Sequence, residues 1–231
     1  MKKTFQFKEG EVLLINKPLH WTSFQLVNKL RWLIKRKLGI KKIKVGHAGT
    51  LDPLATGLMI ICTGKKTKEI NQYQAAEKEY IATLKLGATT PSYDGESAEN
   101  YFYPTKHISD ELITKTCPRF LGEIEQTPPV FSAIKVKGKK LYESARKGNE
   151  VEIKPRKIRI YELELMNIDL PYIQLRVSCS KGTYIRSLAY DLGKALNSGA
   201  WLCDLQRTKI GSNTLNNALD IQAFQQMMKS L

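Results

Sequence analysis

From Tyr172 to Ser180 the side chains alternate strictly, with Ile173, Leu175, Val177 and Cys179 on one face and Gln174, Arg176, Ser178 and Ser180 on the other. A period of two marks a half-buried strand. At Thr183 the period changes, and Ile185, Leu188, Ala189, Leu192 and Leu196 form one helical stripe that ends near Gly199. The same mixture recurs upstream. Glu11 to Asn16 reads as a short strand closed by Lys17-Pro18. Thr22 or Ser23 then caps a helix whose apolar face is Leu26, Val27, Leu30, Leu33, Ile34 and Leu38, and Gly39 stops it. Residues 43–57 read as a loop leading into a buried strand at Leu58 to Cys62. Tyr80 to Leu86 and Glu123 to Gln126 read as further strands, and Ser109 caps a helix through Phe120. Strands and helices mix without a regular βαβ beat. That predicts an α+β fold with a central mixed, largely antiparallel sheet and flanking helices.

Charge limits what such a fold would serve. The 231 residues carry 37 Lys and Arg against 22 Asp and Glu, a net +15, of which +11 lies in the first 70 residues. Between Glu11 and Glu69 the only acid is Asp52, set among twelve basic residues. A basic field of this kind suits phosphates, although a run of charge is also what a solvated helix face looks like. No apolar run approaches the ~18 residues of a membrane helix, and the start has no signal-peptide stretch, so a cytoplasmic protein without a membrane partner is expected. Cys62, Cys117, Cys179 and Cys203 have neither paired spacing nor neighbouring histidines, which argues against a zinc site or a disulfide framework.

Asp52 lies in GHAGTLDPLATG, residues 46–57, a glycine-rich loop with Lys65, Lys66 and Lys68 just downstream. Glycosidase-type hydrolysis normally uses two carboxylates and a metal site several oxygen ligands, and the neighbourhood supplies neither. A lone carboxylate among cations stays ionised, which suits a nucleophile or base better than an acid. Spacing alone leaves open an aspartate that caps the turn before Pro53.

Several separated blocks resemble the TruB family of tRNA pseudouridine synthases. They are LLINKP with TSF at 13–24, GHAGTLDPLATG at 46–57, EKEY at 77–80, TPPVFSAIKVKGKKLYESARKG at 127–148 and CSKGTYIRSLAYDLG at 179–193. The resemblance runs from about residue 10 to 211. It departs from the family pattern at Ala48, where Thr is more usual. It implies a pseudouridine-synthase fold and isomerisation of uridine-55 in the T-loop of tRNA, with no cofactor or metal. Asp52 would be the catalytic nucleophile or base. Tyr80 would stack on the target base, and Arg186 would pair with the catalytic aspartate. Tyr184 would floor the base pocket, Leu205 would form an apolar wall, and Lys17 would support the site or touch RNA. His47 would insert into the RNA once the uridine has flipped out.

The basic stretch at 127–150, read as an insertion with a short helix over Gly138 to Lys147, would form a thumb over the T stem-loop, with Lys139, Lys140 and Lys147 on its phosphates. Residues 1–211 would then be the catalytic domain. Residues 212–231 would be a tail with one helix from Asp220 to Lys229, too short for a C-terminal RNA-binding module. A monomer is expected. The rival readings are a guide-RNA-dependent synthase and a catalytically silent tRNA-binding or chaperone protein.

Overall fold

A computed structural model describes residues 5–132, 135–136, 139–140 and 153–230. The chain is α+β with a central mixed sheet and flanking helices, as the patterning predicts. It divides into two compact units, residues 1–80 with 205–231, and residues 81–204. Two strands, β4 (Lys78–Leu86) and β12 (Ala200–Ile210), run from one unit into the other.

The first unit is built on β3 (Ala55–Thr63), in which every residue from Leu58 to Thr63 is buried. A continuous apolar run of this kind belongs to a strand covered on both faces. Along one edge β3 pairs antiparallel with β1 (Val12–Lys17). Along the other it pairs parallel with β12, through Leu205↔Ala55, Gln206↔Thr56 and Arg207↔Gly57, and beyond Leu58 antiparallel with the short β2 (Val45–His47). The parallel pair makes the sheet mixed. Gly57 is obligatory there, because it takes φ +106° and a Cβ at this position would lie 2.3 Å from the Arg207 carbonyl oxygen. Helix α1 (Ser23–Leu38) starts and ends where the sequence signals place it. Thr22 and Gln25 form a reciprocal capping box, and Gly39, left-handed at φ 62°, closes the last turn. Its stripe of Leu26, Val27, Leu30 and Ile34 is buried. The unit also holds α2 (Ile70–Ala75), a two-residue β13 (Asn213–Thr214) on β12, and a C-terminal helix, Ile221–Ser230.

In the second unit, β11 (Tyr172–Cys179) pairs antiparallel with the long β10 (Arg156–Asp169), which pairs with β7 (Gly122–Gln126). Ile173, Leu175, Val177 and Cys179 are all buried, as their alternation demands. Helix α4 (Ile185–Ala195) buries Ile185, Leu188, Ala189 and Leu192. Helix α3 (Asp110–Thr116), capped by Ser109, passes into a 3-10 turn over Cys117–Phe120 where one continuous helix was expected. Pro118 explains the change, since its missing N–H and ring disfavour an α-helical interior.

Two further expectations are corrected. Residues 43–57 are not loop throughout, because Val45–His47 forms β2; three residues including a glycine carry no readable period. Lys139–Lys140 is not helical but a strand, β9, paired with β8 (Lys135–Val136). Ladder hydrogen bonds prevail there over the weak helical tendency of a short lysine-rich stretch. Lys147 and the rest of the insertion from 141 to 150 lie outside the described residues.

Candidate active site

The segment from Gly49 to Leu58, which carries Asp52, is pinned by side chains from three elements of its own unit. Ser23, at the start of α1, donates its hydroxyl to the Leu51 carbonyl and accepts the Leu51 N–H, each at 2.9 Å. Lys17, at the end of β1, is fully buried; its Nζ donates to the carbonyls of Pro18 at 2.9 Å, Trp21 at 2.6 Å and Pro53 at 3.4 Å. The His20 backbone, held at φ 64°, donates to the same Pro53 oxygen at 2.8 Å. Arg207, in β12, donates from Nε to the Leu58 carbonyl at 2.7 Å and from Nη2 to the Gly49 carbonyl at 3.2 Å. The segment itself turns through an Ala55 N–H to Asp52 carbonyl bond of 3.1 Å.

The electrostatics match this geometry. Burial pushes the Lys17 ammonium down to about 8, an effect that the Asp52 charge opposes and the Arg207 charge reinforces. Two buried cations and one carboxylate therefore share this end of β3. Burial also lowers His47, partly offset by a hydrogen bond to the Gly49 backbone, and Arg207 lowers it further, which favours the uncharged imidazole. His47 itself sits on β2 opposite Ile61.

Of the other sequence candidates in this unit, Leu205 is buried and paired with Ala55, three residues beyond Asp52. Tyr80 is buried at the unit's end of β4. Its neighbour Glu79 is held by Thr208, at 2.7 Å, and by Lys209, at 2.8 Å.

The second unit assembles Arg186 and Tyr184 at the start of α4. Arg186 is 3% exposed; its Nη1 donates to the carbonyls of Phe131 at 3.0 Å and Ser92 at 3.2 Å and lies 3.6 Å from Asp94 Oδ2. The Tyr184 ring has Arg156 4.7 Å and Arg186 6.0 Å from its centroid. Its backbone is fixed at both ends by Gln126, which accepts from the Tyr184 N–H at 2.8 Å and donates to its carbonyl at 3.0 Å. Lys139 and Lys140 are on β9, and Lys147 lies outside the described residues.

Sequence reasoning missed Arg207, Ser23 and Asp94. For Arg207 a signal was present, since Leu205 and Arg207 share the parity that turns inward on an apolar strand, where an arginine is out of place unless it has partners. Among the described residues no group of three or more His, Cys, Asp or Glu is disposed to hold a metal ion, and no helix is long and apolar enough to cross a membrane.

Known proteins resemble the chain along most of its length. The family model "TruB family pseudouridylate synthase (N terminal domain)" matches residues 35–185. A protein of Phocaeicola vulgatus named tRNA pseudouridine synthase B is 61% identical over 218 residues, 94% of this chain and 93% of that one. One of the same name from Flavobacterium johnsoniae is 57% identical over 225 residues, 97% of this chain and 98% of that one. Among solved structures, a chain of a Cbf5-Nop10-Gar1 complex superposes with a TM-score of 0.70 at 27% identity over 95% of this chain, which spans about half (54%) of that longer one. With a carboxylate in a pinned glycine-rich loop, a family match across more than half its length and close relatives along nearly all of it, the chain belongs to the TruB family of pseudouridylate synthases.

Proposed function

We propose that this enzyme, a tRNA pseudouridine synthase, acts on uridine-55 in the T-loop of tRNA with Asp52 as its catalytic nucleophile or base. The single observation that carries the reading is the immobilised Asp52 segment, held at Pro53 by buried Lys17, whose charge Asp52 feels, and at Gly49 by buried Arg207. In the isomerisation the bond from uracil N1 to ribose C1′ breaks, the detached base turns, a bond from its C5 to C1′ forms as the C5 proton is lost, and N1 takes up a proton. No electron or group donor is consumed. One ionised carboxylate suffices for attack at ribose or for removal of a ribose proton, the routes we favour, because neither step needs a second acid in the same loop.

Tyr80 stacks on the extruded base, Arg186 is a further catalytic group, Tyr184 and Leu205 each contact the base, and His47 occupies the space the uridine leaves in the RNA. An uncharged, half-buried imidazole suits insertion among bases better than a solvated cation would. Lys17 anchors the segment from within, and Lys139, Lys140 and Lys147 contact the phosphates of the T stem-loop. The high identity along nearly the whole chain to proteins named tRNA pseudouridine synthase B, with no guide RNA in that name, supports independence from a guide RNA, and a monomer in the cytoplasm accords with it.

Purified protein and an unmodified tRNA transcript, with no other RNA, test the reading. Wild type should form pseudouridine at position 55 and no product on a transcript with cytidine there. Asp52→Asn should form none on either, while its melting temperature stays within about 2 °C and its tRNA affinity within about threefold of wild type. Substantial turnover by Asp52→Asn would overturn the assignment of the carboxylate.

A further inference from the structure

Arg207 is among the largest fully buried side chains of the described residues, at 1% exposure, and among those residues it forms no ion pair. A buried guanidinium without a carboxylate partner is an expensive arrangement, for which an apolar residue of similar volume would usually substitute at no loss of stability. Its hydrogen bonds show what it does instead. Nε bonds the Leu58 carbonyl and Nη2 the Gly49 carbonyl, at 2.7 and 3.2 Å, and these two groups bracket the ten residues that contain Asp52.

We infer that Arg207 is a positioning residue for catalysis, its rigid fork clamping the two ends of the Gly49–Leu58 segment and so fixing where the Asp52 carboxylate stands. The inference rests on the proposed role of Asp52.

Three features make the clamp precise. The guanidinium is planar, so the spacing and angle of its two donors cannot adjust independently, and two carbonyls nine residues apart are held in one geometry. The base of the side chain is itself fixed, because Gly57 lets the β3 backbone approach the Arg207 backbone more closely than any Cβ would allow. Lys17 and Ser23 then hold the middle of the segment, at Pro53 and Leu51. Catalytic groups are sensitive to such placement, a displacement of about 1 Å being enough for a loss of ~100-fold in rate.

Arg207→Met, Arg207→Gln and Arg207→Lys, with Asp52→Asn in parallel, test the inference by melting, tRNA dissociation constant and single-turnover rate at saturating tRNA. Arg207→Met should stay folded at the assay temperature and bind tRNA within about threefold of wild type, yet lose about 100-fold in single-turnover rate. Arg207→Lys should recover part of that loss, since an ammonium reaches one carbonyl but not both. A purely structural role would not separate rate from binding in this way.

Folded Arg207→Met with a rate within about threefold of wild type overturns the inference. So does a rise in dissociation constant that accounts for the whole loss of activity, which would make Arg207 an RNA contact. Failure of all three variants to fold where wild type is stable overturns it too, by showing a role confined to the fold. The Asp52→Asn arm separates the two proposals. An inert Asp52→Asn beside a fully active Arg207→Met removes only the clamp, whereas an active Asp52→Asn removes the reading of Asp52 on which the clamp depends.

Discussion

Lys17 shows how one residue can couple folding to the chemistry beside it. Its ammonium is buried and donates to three backbone carbonyls, and burial lowers its affinity for protons to a value of about 8, against an ordinary 10.5. The unfolded chain therefore holds more protons on this group than the folded one between pH 8 and 10.5. Stability rises with pH wherever the unfolded state binds the extra proton. Below pH 8 the group is charged in both states and its burial penalty is at its full size; through the window that penalty is relieved. Wild type should accordingly gain stability relative to Lys17→Met as pH is raised from 8 to 10.5, measured as the difference in their melting temperatures at each pH. A difference that stays constant across that range would show that Lys17 binds its proton equally well in the folded and unfolded chain. Activity should move the other way over the same interval, because deprotonation takes a positive charge from beside Asp52.

At the scale of elements, helix α1 gives the most direct energetic check, because its ends depend on single side chains. The Thr22 hydroxyl accepts the Gln25 N–H at 3.0 Å, and Gln25 Oε1 accepts the Thr22 N–H at 2.8 Å. Thr22→Ala removes half of this exchange and should destabilise the protein by about 1 kcal/mol, a fall of roughly 2–4 °C in melting temperature for a chain of this size. A shift below about 0.5 °C would mean that the helix start is set by packing alone. The ends of α1 were readable because cap and stop residues act locally, and β11 and α4 because a face buried at every second or every third to fourth position leaves a period in the sequence. β2 was not readable, since its three residues take their stability from Ile61, Cys62 and Thr63 on a distant stretch of chain. The break at Pro118 is legible in the sequence, because proline is excluded from a helix interior. For the candidate site, the sequence singled out Asp52 as a chemical type, and family resemblance supplied the roles of Tyr80, Arg186 and Tyr184. Ser23 is hidden because it bonds backbone groups, which every residue has and no motif records, and Arg207 shows only in its inward parity on an apolar strand.

For the whole molecule the governing quantity is charge, and it bears on how tRNA is held. The chain carries a net +15, and its N-terminal 70 residues account for +11 of it. Part of that surplus lines a concavity in the first unit made by Lys8, Lys42, Lys44, Lys65 and Lys68. Lys65 is engaged there by Glu9 at 2.5 Å, while Lys8, Lys42, Lys44 and Lys68 form no ion pair among the described residues. Lysines without carboxylate partners are available to phosphates, and each phosphate they neutralise releases condensed counterions, so affinity should fall steeply as salt is added. If four or five phosphates are contacted, the logarithm of the association constant should fall against the logarithm of salt with a slope of about −3 to −4.5, a loss of about a hundredfold or more between 50 and 200 mM. Asp52→Asn should leave that slope unchanged, because the carboxylate neutralises no phosphate. Replacing Lys42, Lys44 and Lys68 together with Ala should flatten it by about two to three, and the same variant should raise the apparent KM far more than it lowers the rate at saturating tRNA. A slope near zero for the wild-type protein would show that the basic field only keeps it soluble, and that tRNA is recognised through bases and shape instead.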